Sequence, residues 1–360
     1  MDKKGHQPNQ PTVSVIMPVY NGERFLQQSL DSVYAQHFTS YEIIVVDDGS
    51  TDRTPAILET SAAQHANLRI IRQENHGQGY ARNRAMKKAT GTYILFIDAD
   101  DYIDSNLLEV TVARAEEDKA DVVNFNWRLL NMKHDGIEEL SEFNTEVFTG
   151  KSQLVGSDCE IFLQKHNYFA WDSLYRRSFL DEHHIGFGEG YIYEDNEFIV
   201  EVASYAQRIS IVDDVLYTVR HGAGSSSRSQ HDTPKHYHDL MRAMKRSFET
   251  VQARTPYTSF YLAAYFLEKF TIYYQHRVPR YLLNRYLHDF VDVLHTQKLV
   301  APKGTSYRFL RSCMSQRIFE DKRYWMFFWG VQYKTKVLPL RDKLRSGRSK
   351  LHSISDIKQV

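Results

Sequence analysis

Two cysteines in 360 residues, Cys159 and Cys313, leave no disulfide framework and no cysteine-based zinc site to argue for. Their scarcity fits a reducing compartment. No stretch approaches the roughly 20 apolar residues of a membrane span; the densest, Tyr324 to Val331, is too short. Residues 1–11 lack the apolar core of a signal peptide, so cytoplasmic residence is the expectation. No Gly-x-Gly-x-x-Gly follows the first candidate strand, which argues against a dinucleotide-dependent dehydrogenase. Net charge is also missing, with 45 Lys and Arg against 45 Asp and Glu. What is present is a 42% hydrophobic content, enough to bury a full core in one large domain with an appendage or in two domains.

The zero net charge conceals an asymmetry. Residues 301–360 carry 14 Lys and Arg against 4 Asp and Glu, so the first 300 residues hold the compensating acidic excess. Tyr324, Trp325, Phe327, Phe328 and Trp329 lie within this basic tail. Basic charge beside interfacial aromatics suggests peripheral docking on an anionic membrane surface, here the inner face of the cytoplasmic membrane. The competing reading is a helical aromatic core with a solvated basic face. Nucleic acid is not an expected partner, because no recognised nucleic-acid motif accompanies the charge.

Residues 94–102, Ile-Leu-Phe-Ile-Asp-Ala-Asp-Asp-Tyr, run an apolar strand straight into Asp98, Asp100 and Asp101. Such an accumulation of negative charge calls for a cation. Strand alternation would point Asp98 and Asp100 to one side and Asp101 to the other. An Asp-x-Asp pair of this kind suits Mg²⁺ or Mn²⁺, hard ions that fill their coordination with water and phosphate oxygens, so a diphosphate is the expected partner. A second acidic strand end, Glu42 to Asp52, stops at Asp47 and Asp48. A third strand, Val13 to Val19, passes through Pro18 to Tyr20, a flat aromatic face, and to Asn21, which can start a helix. Ligands of open α/β sheets sit beyond the carboxyl ends of the strands, so these three ends together argue for a nucleotide site.

The alternation along the chain is that of a doubly wound sheet. Strand 13–18 precedes helix 23–37, with Phe25, Leu26, Leu30, Val33 and Tyr34 at helical spacing. Strand 42–47 precedes a helix from Pro55 to about His65 capped by Thr54. Strand 68–72 leads through Asn75–Gly79 to helix 80–89, and strand 93–98, helix 105–118 and strand 121–127 follow. Repeated β-α units imply mainly parallel pairing. A polar insertion interrupts the pattern near 131–150, and the chain reads as helices after 230.

Six runs, Pro18-Val-Tyr-Asn-Gly, Val46-Asp-Asp-Gly-Ser-Thr-Asp52, Ala81-Arg-Asn83, Phe96-Ile-Asp-Ala-Asp-Asp101, Trp171-Asp-Ser-Leu-Tyr-Arg176 and Glu194-Asp-Asn-Glu-Phe198, stand in order. Together they resemble the family 2 glycosyltransferases of bacterial cell-surface polysaccharide and teichoic acid synthesis. The resemblance covers about residues 12–228. It implies a GT-A fold, Rossmann-like and mainly parallel, over residues 12–229, after a flexible N-terminus of residues 1–11. A helical, basic and aromatic region of residues 230–360 follows it. It implies a metal-dependent, inverting transfer of a sugar from a nucleotide sugar, a UDP-sugar above all, to a glycan or lipid-linked acceptor.

Site roles follow from the same resemblance. Tyr20 packs on the base, and Asp48 accepts from the uracil imide. Asp98 contacts ribose, while Asp100 ligates the metal with Asp98, Asp101 or His221 as further ligands. Pro18, Asn21, Arg82 and Asn83 belong to the nucleotide-binding loops, with Arg82 on phosphate or on Asp48. Arg220, His221 and the hydroxyls around Ser226 resemble the segment that closes over the diphosphate. His221 is equally open to being a metal ligand, a phosphate donor or a surface residue. Trp171 shapes the sugar pocket or belongs to the core. Asp195 is the general base, Glu194 its nearest competitor, and the alternative for Asp195 is a carboxylate complementing a helix dipole. Two other classes remain in view, a Mg²⁺-dependent nucleotidyltransferase and a non-catalytic polysaccharide-binding or scaffold protein. The donor sugar, acceptor and oligomeric state are not encoded in any motif.

Overall fold

A computed structural model describes residues 10–132, 138–143, 151–165, 168–221, 234–251 and 255–274, together with positions 289, 292, 293 and 296. The chain divides into two compact units, Met1–Leu262 and Ala263–Val360. In the first unit the order is β1 (Val13–Val19), α1 (Leu26–Tyr34), β2 (Tyr41–Asp47), α2 (Thr54–Gln64), β3 (Leu68–Arg72), α3 (Gln78–Met86), β4 (Tyr93–Phe96), β5 (Tyr102–Ile103) and α4 (Leu107–Asp118). Then come β6 (Val122–Met132), β7 (Glu138–Phe143), β8 (Gln153–Val155), α5 (Glu160–Lys165), β9 (Ser173–Arg176), α6 (Arg177–Glu182), α7 (Glu194–Tyr205), β10 (Arg208–His221) and α8 (Pro234–Thr250). The last described helix, α9 (Thr258–Tyr274), carries the chain into the second unit, which is described over 263–274 and at the four single positions.

The sheet runs β3-β2-β1-β4-β9-β6-β10-β5, with β7 added to β6 and β8 to β10. Its first four strands are parallel, as the βα repeat predicts. Strand β9 then lies antiparallel between β4 and β6. Beyond it β10 is parallel to β6 and antiparallel to β5 and β8. All seven residues of β1 are buried, which its run of Val, Ile and Met requires of a strand covered on both faces. Pro18 is tolerated in this central strand because the last β1–β4 pair is Ile16 with Phe96, so no ladder donor is wanted from it on that side.

Local expectations fail at three points. Helix α1 starts at Leu26, not at Asn21, which instead turns the chain with a φ of 51°. Asn21 Oδ1 accepts from Thr51 N at 2.8 Å, Asn21 N donates to Ser50 Oγ at 2.9 Å, and Gly22 N donates to Thr54 Oγ1 at 2.8 Å. The loops after β1 and β2 are thereby laced together. Thr54 opens α2 rather than capping it, its hydroxyl being taken by Gly22. The segment near 131–150 is not simply an insertion, since β6 continues to Met132 and β7 pairs back on it with Trp127 opposite Phe143.

Candidate active site

Because β2, β1 and β4 are adjacent and parallel, their carboxyl ends deliver Asp48, Tyr20 and Asp98 to one edge of the sheet. Tyr20 is the outermost of the three, with 54% of its surface exposed. Asp48 is buried, and its carboxylate organises the neighbouring turn: Gln73 Nε2 donates at 2.6 Å, His76 N at 2.9 Å and Gly77 N at 2.8 Å. Gly77, with a φ of 90°, lets that turn run into α3.

The three aspartates after β4 do not alternate like strand residues. The strand stops at Phe96, and Asp101 N donates to Asp98 O at 3.1 Å, so a turn sets their directions. Asp101 points inward, its carboxylate accepting from Tyr217 Oη at 3.0 Å and from Arg220 N at 2.8 Å. Tyr217 Oη also accepts from Asp98 N at 3.1 Å, which ties the turn to β10 from both ends. With both oxygens engaged, Asp101 supports the turn instead of offering a ligand. Asp100 is the carboxylate that remains half-buried and open. Burial, reinforced by the Asp98 charge, pushes its pKa up to about 6. Asp101 is raised for the same reasons, with Asp100 as its nearest like charge.

Arg82 joins this turn to a second acidic pair. Its guanidinium, 1% exposed, donates from Nη2 to Asp98 Oδ1 and from Nη1 to Glu194 Oε1 and Asp195 Oδ1, each at 2.8 Å. The ring of Phe187 lies 5.1 Å away. Burial opposes the guanidinium charge, but Asp195, Asp98 and Glu194 overcome it and raise the Arg82 pKa further. So enclosed, Arg82 has no surface with which to meet a phosphate, and its role moves from the nucleotide to the carboxylates. Asp195 keeps 18% of its side chain exposed and also takes a long hydrogen bond from Ala170 N at 3.4 Å. Burial pushes its pKa up to about 7, against the pull of Arg82 and with the push of Glu194 and Asp98. Glu194 is the more enclosed of the pair.

Asn83, next on α3, also leaves the nucleotide loop. Its amide donates to Phe187 O at 2.9 Å and Glu189 Oε1 at 2.8 Å and accepts from Phe187 N at 2.8 Å, pinning the segment that leads into α7. Trp171 is core: 5% exposed, it is stacked between Phe169 and Tyr217 at 4.8 and 4.5 Å. Arg220 is cradled rather than free. It donates to Asp100 O at 2.7 Å and Gln28 Oε1 at 2.6 Å and sits 5.0 and 4.7 Å from the rings of Phe25 and Tyr102. His221 closes β10, but its side chain, like Ser226 and residues 301–360, lies outside the described residues. Sequence reasoning missed Gln73, Tyr217 and Phe187 as partners of the site; Tyr217 carries no motif signal, and only packing reveals it.

Residues 14–183 match the family described as Glycosyl transferase family 2. A Bacillus subtilis relative, the uncharacterized glycosyltransferase EpsJ, is 32% identical over 217 residues, which cover 60% of this chain and 62% of EpsJ. The Staphylococcus aureus poly(ribitol-phosphate) beta-N-acetylglucosaminyltransferase TarS is 31% identical over 237 residues, covering 64% of this chain and 39% of TarS. The chain thus spans about three-fifths of the length of EpsJ and less of TarS. A TarS fragment solved with UDP-GlcNAc superposes with a TM-score of 0.64 at 24% identity, over 79% of this chain and 81% of the fragment. The mannosyltransferase PcManGT of Pyrobaculum calidifontis, solved with GDP-Man and Mn²⁺, superposes at 0.53 and 18% identity over 93% of this chain and 89% of that one. These likenesses establish a GT-A type of fold, a mixed α/β sheet in which β3, β2, β1 and β4 are parallel. Among the described residues no helix is long and apolar enough to cross a membrane.

Proposed function

We propose that the chain is an inverting glycosyltransferase that moves a sugar from a UDP-sugar to a hydroxyl of a cell-envelope glycan or lipid-linked acceptor. The observation that carries the reading is the Arg82 bridge, which holds Asp98 of the nucleotide-facing turn and Asp195 at the start of α7 on one guanidinium. One cation therefore spaces a donor-side carboxylate from a base. The TarS complex with UDP-GlcNAc supports a nucleotide sugar as donor.

Tyr20 offers its exposed ring to the base. Asp48, with three of its roughly four acceptor positions filled, keeps one for the uracil imide N–H. Asp195 takes the proton of the acceptor hydroxyl as that oxygen bonds to the anomeric carbon and the bond to the diphosphate oxygen breaks on the opposite face. A base with a pKa near neutrality balances the fraction ionised against proton affinity. Glu194, more enclosed, holds Arg82 in place.

The donor set at the β4 turn suits Mg²⁺ or Mn²⁺. Among the described residues no three His, Cys, Asp or Glu side chains form a ready ligand cage. Asp100 and the second oxygen of Asp98 provide the one or two carboxylates that such ions combine with water and phosphate oxygens. The like charge that raises Asp100 is what a cation would relieve. Bound there, a divalent ion would neutralise charge developing on the departing diphosphate. The mannosyltransferase solved with Mn²⁺ supports divalent metal use. The basic tail of residues 301–360 would hold the enzyme on anionic lipid near a lipid-linked acceptor.

The test is a panel of UDP-sugars and GDP-mannose with Mg²⁺ or Mn²⁺, reading nucleoside diphosphate and the linkage of the product. UDP release coupled to a new glycosidic bond is expected. Release of sugar 1-phosphate in place of the nucleoside diphosphate would identify nucleotidyl transfer, and nucleotide binding without turnover a scaffold.

A further inference from the structure

The first turn of α7 carries three carboxylates, Glu194, Asp195 and Glu197. Arg82 of α3 meets the first two, and the third is met from α8. Glu197 Oε1 accepts from Arg246 Nη2 at 3.2 Å, and Glu197 Oε2 accepts from Tyr191 Oη at 2.5 Å. Both oxygens of this buried carboxylate are therefore engaged. Burial, and then the bond to Glu197, push the Tyr191 hydroxyl pKa up, so the phenol stays the donor. A second arginine of α8, Arg242, lies 4.7 Å from the centre of the Tyr191 ring. Arg246 spends its other nitrogen on Glu249, one turn further along α8, at 3.1 Å.

The bond from Tyr191 to Glu197 closes a loop over residues 192–196, the stretch that bears Asp195. Within that loop Tyr193 has a φ of 75°, a left-handed conformation that a bulky residue holds only where its surroundings impose it. Two further bonds fix the same stretch: Ile192 N donates to Asp239 Oδ2 of α8 at 3.3 Å, and Asn196 Nδ2 donates to Tyr193 O at 3.0 Å. The strained residue thus stands two positions before Asp195, and α8 supplies part of what holds it.

We propose that Tyr191, Glu197 and Arg246 are positioning residues for the base, a clamp that fixes the backbone of the first α7 turn and so the direction in which Asp195 points. The inference rests on the transferase reading, in which Asp195 takes the acceptor proton. Arg82 holds the carboxylate end of Asp195, and the clamp holds the backbone end. A base needs both, because a misplacement of about 1 Å can cost about 10²-fold in rate. Helix α8 lies beyond the residues matched to the family, so the clamp gives that later part of the chain a share in the chemistry.

A kinetic double-mutant cycle on the full chain tests this. UDP release with Mn²⁺ is followed from UDP-glucose, UDP-galactose, UDP-N-acetylglucosamine and UDP-N-acetylgalactosamine, and the fastest donor is used throughout. Tyr191→Phe deletes only the hydroxyl and should lower kcat about tenfold, with donor KM and UDP affinity unchanged. In an Asp195→Asn protein there is no base left to aim, and the same substitution should change kcat by less than about twofold. Arg246→Ala, at a half-exposed position, should repeat the pattern without threatening the fold. Arg246→Lys should recover part of that loss, because an ammonium still reaches one carboxylate oxygen. A Tyr191→Phe loss as large in the Asp195→Asn protein as in the wild type would overturn the clamp, since the tyrosine would then act on something other than the base. So would a loss confined to donor KM, or wild-type kcat in both Tyr191→Phe and Arg246→Ala. Undiminished turnover in Asp195→Asn alone would instead remove the base from the transferase reading, and the clamp with it.

Discussion

Arg82 and Asp195 stand 113 residues apart in the sequence and 2.8 Å apart in the structure. The same guanidinium reaches Asp98 and Glu194, so one buried cation serves three carboxylates. Arg82→Met should destabilise the fold by about 3–5 kcal/mol, the scale for leaving buried charge without its partner. Arg82→Lys keeps the charge but not the planar fork, and cannot meet carboxylates on two sides at once. Denaturant midpoints should order wild type above Lys above Met, with turnover falling in the same order. An Arg82→Lys enzyme of undiminished turnover would show that the fork does not position Asp195.

Asp195→Asn separates base from scaffold. Turnover should fall by about 10² or more, with donor affinity little changed. Stability should hold or rise, because the substitution removes one of three negative charges that compete for Arg82. In the wild type, activity should climb as pH rises through about 7, the value to which burial pushes Asp195, since the base must be ionised. The stability linkage has the opposite slope. The folded pKa lies above the unfolded value of about 4, so this group's contribution is complete below that value and is lost as pH rises through about 7. Rate and melting profiles should therefore diverge between about pH 4 and 7, the window set by those two pKa values, and Asp195→Asn should flatten both.

The β-α order and the acidic strand ends were legible because each is written in a few consecutive residues: a β-branched run, a carboxylate, a turn. Partnerships across the chain were not. Nothing local to Ala81-Arg-Asn83 points to Asp195, and the charge of Arg82 suits phosphate or Asp48 equally well. Burial decides otherwise. The directions of Asp98, Asp100 and Asp101 are set by the turn that begins after Phe96 and not by strand alternation, which pattern alone does not show. Likewise, Ser173–Arg176 gives no sign in sequence that it enters antiparallel between β4 and β6, since strand order depends on pairing and not on pattern.

Asp100→Asn tests the metal reading. The substitution removes charge with little change of volume, and it relieves the repulsion from Asp98, so the fold should be unaffected. Transfer should be lost, and EDTA should reproduce that loss in the wild type. Mn²⁺ binding followed by water-proton relaxation should weaken in the variant in the presence of UDP. Retained transfer in chelator would remove the metal from the mechanism.

Gly79 offers a geometric test that leaves every charged group in place. It lies inside α3 outside the left-handed region, where alanine would ordinarily stabilise a helix by about 1 kcal/mol. Here a Cβ would overlap the carbonyl oxygen of Gly188 and lie 3.1 Å from Glu194 Cβ. The obstacle is backbone, which cannot swing aside as a long side chain could, and overpacking of this kind costs about 1–3 kcal/mol. The segment it presses on is the one Asn83 pins and that carries Glu194 and Asp195 into α7. Gly79→Ala should therefore lower both the melting temperature and turnover while UDP affinity, which the proposed function assigns to Tyr20 and Asp48, stays near wild type. Gln78→Ala, at the exposed neighbouring position, should be silent in all three measurements. A Gly79→Ala enzyme as stable and as fast as wild type would mean that α3 does not set the position of the base.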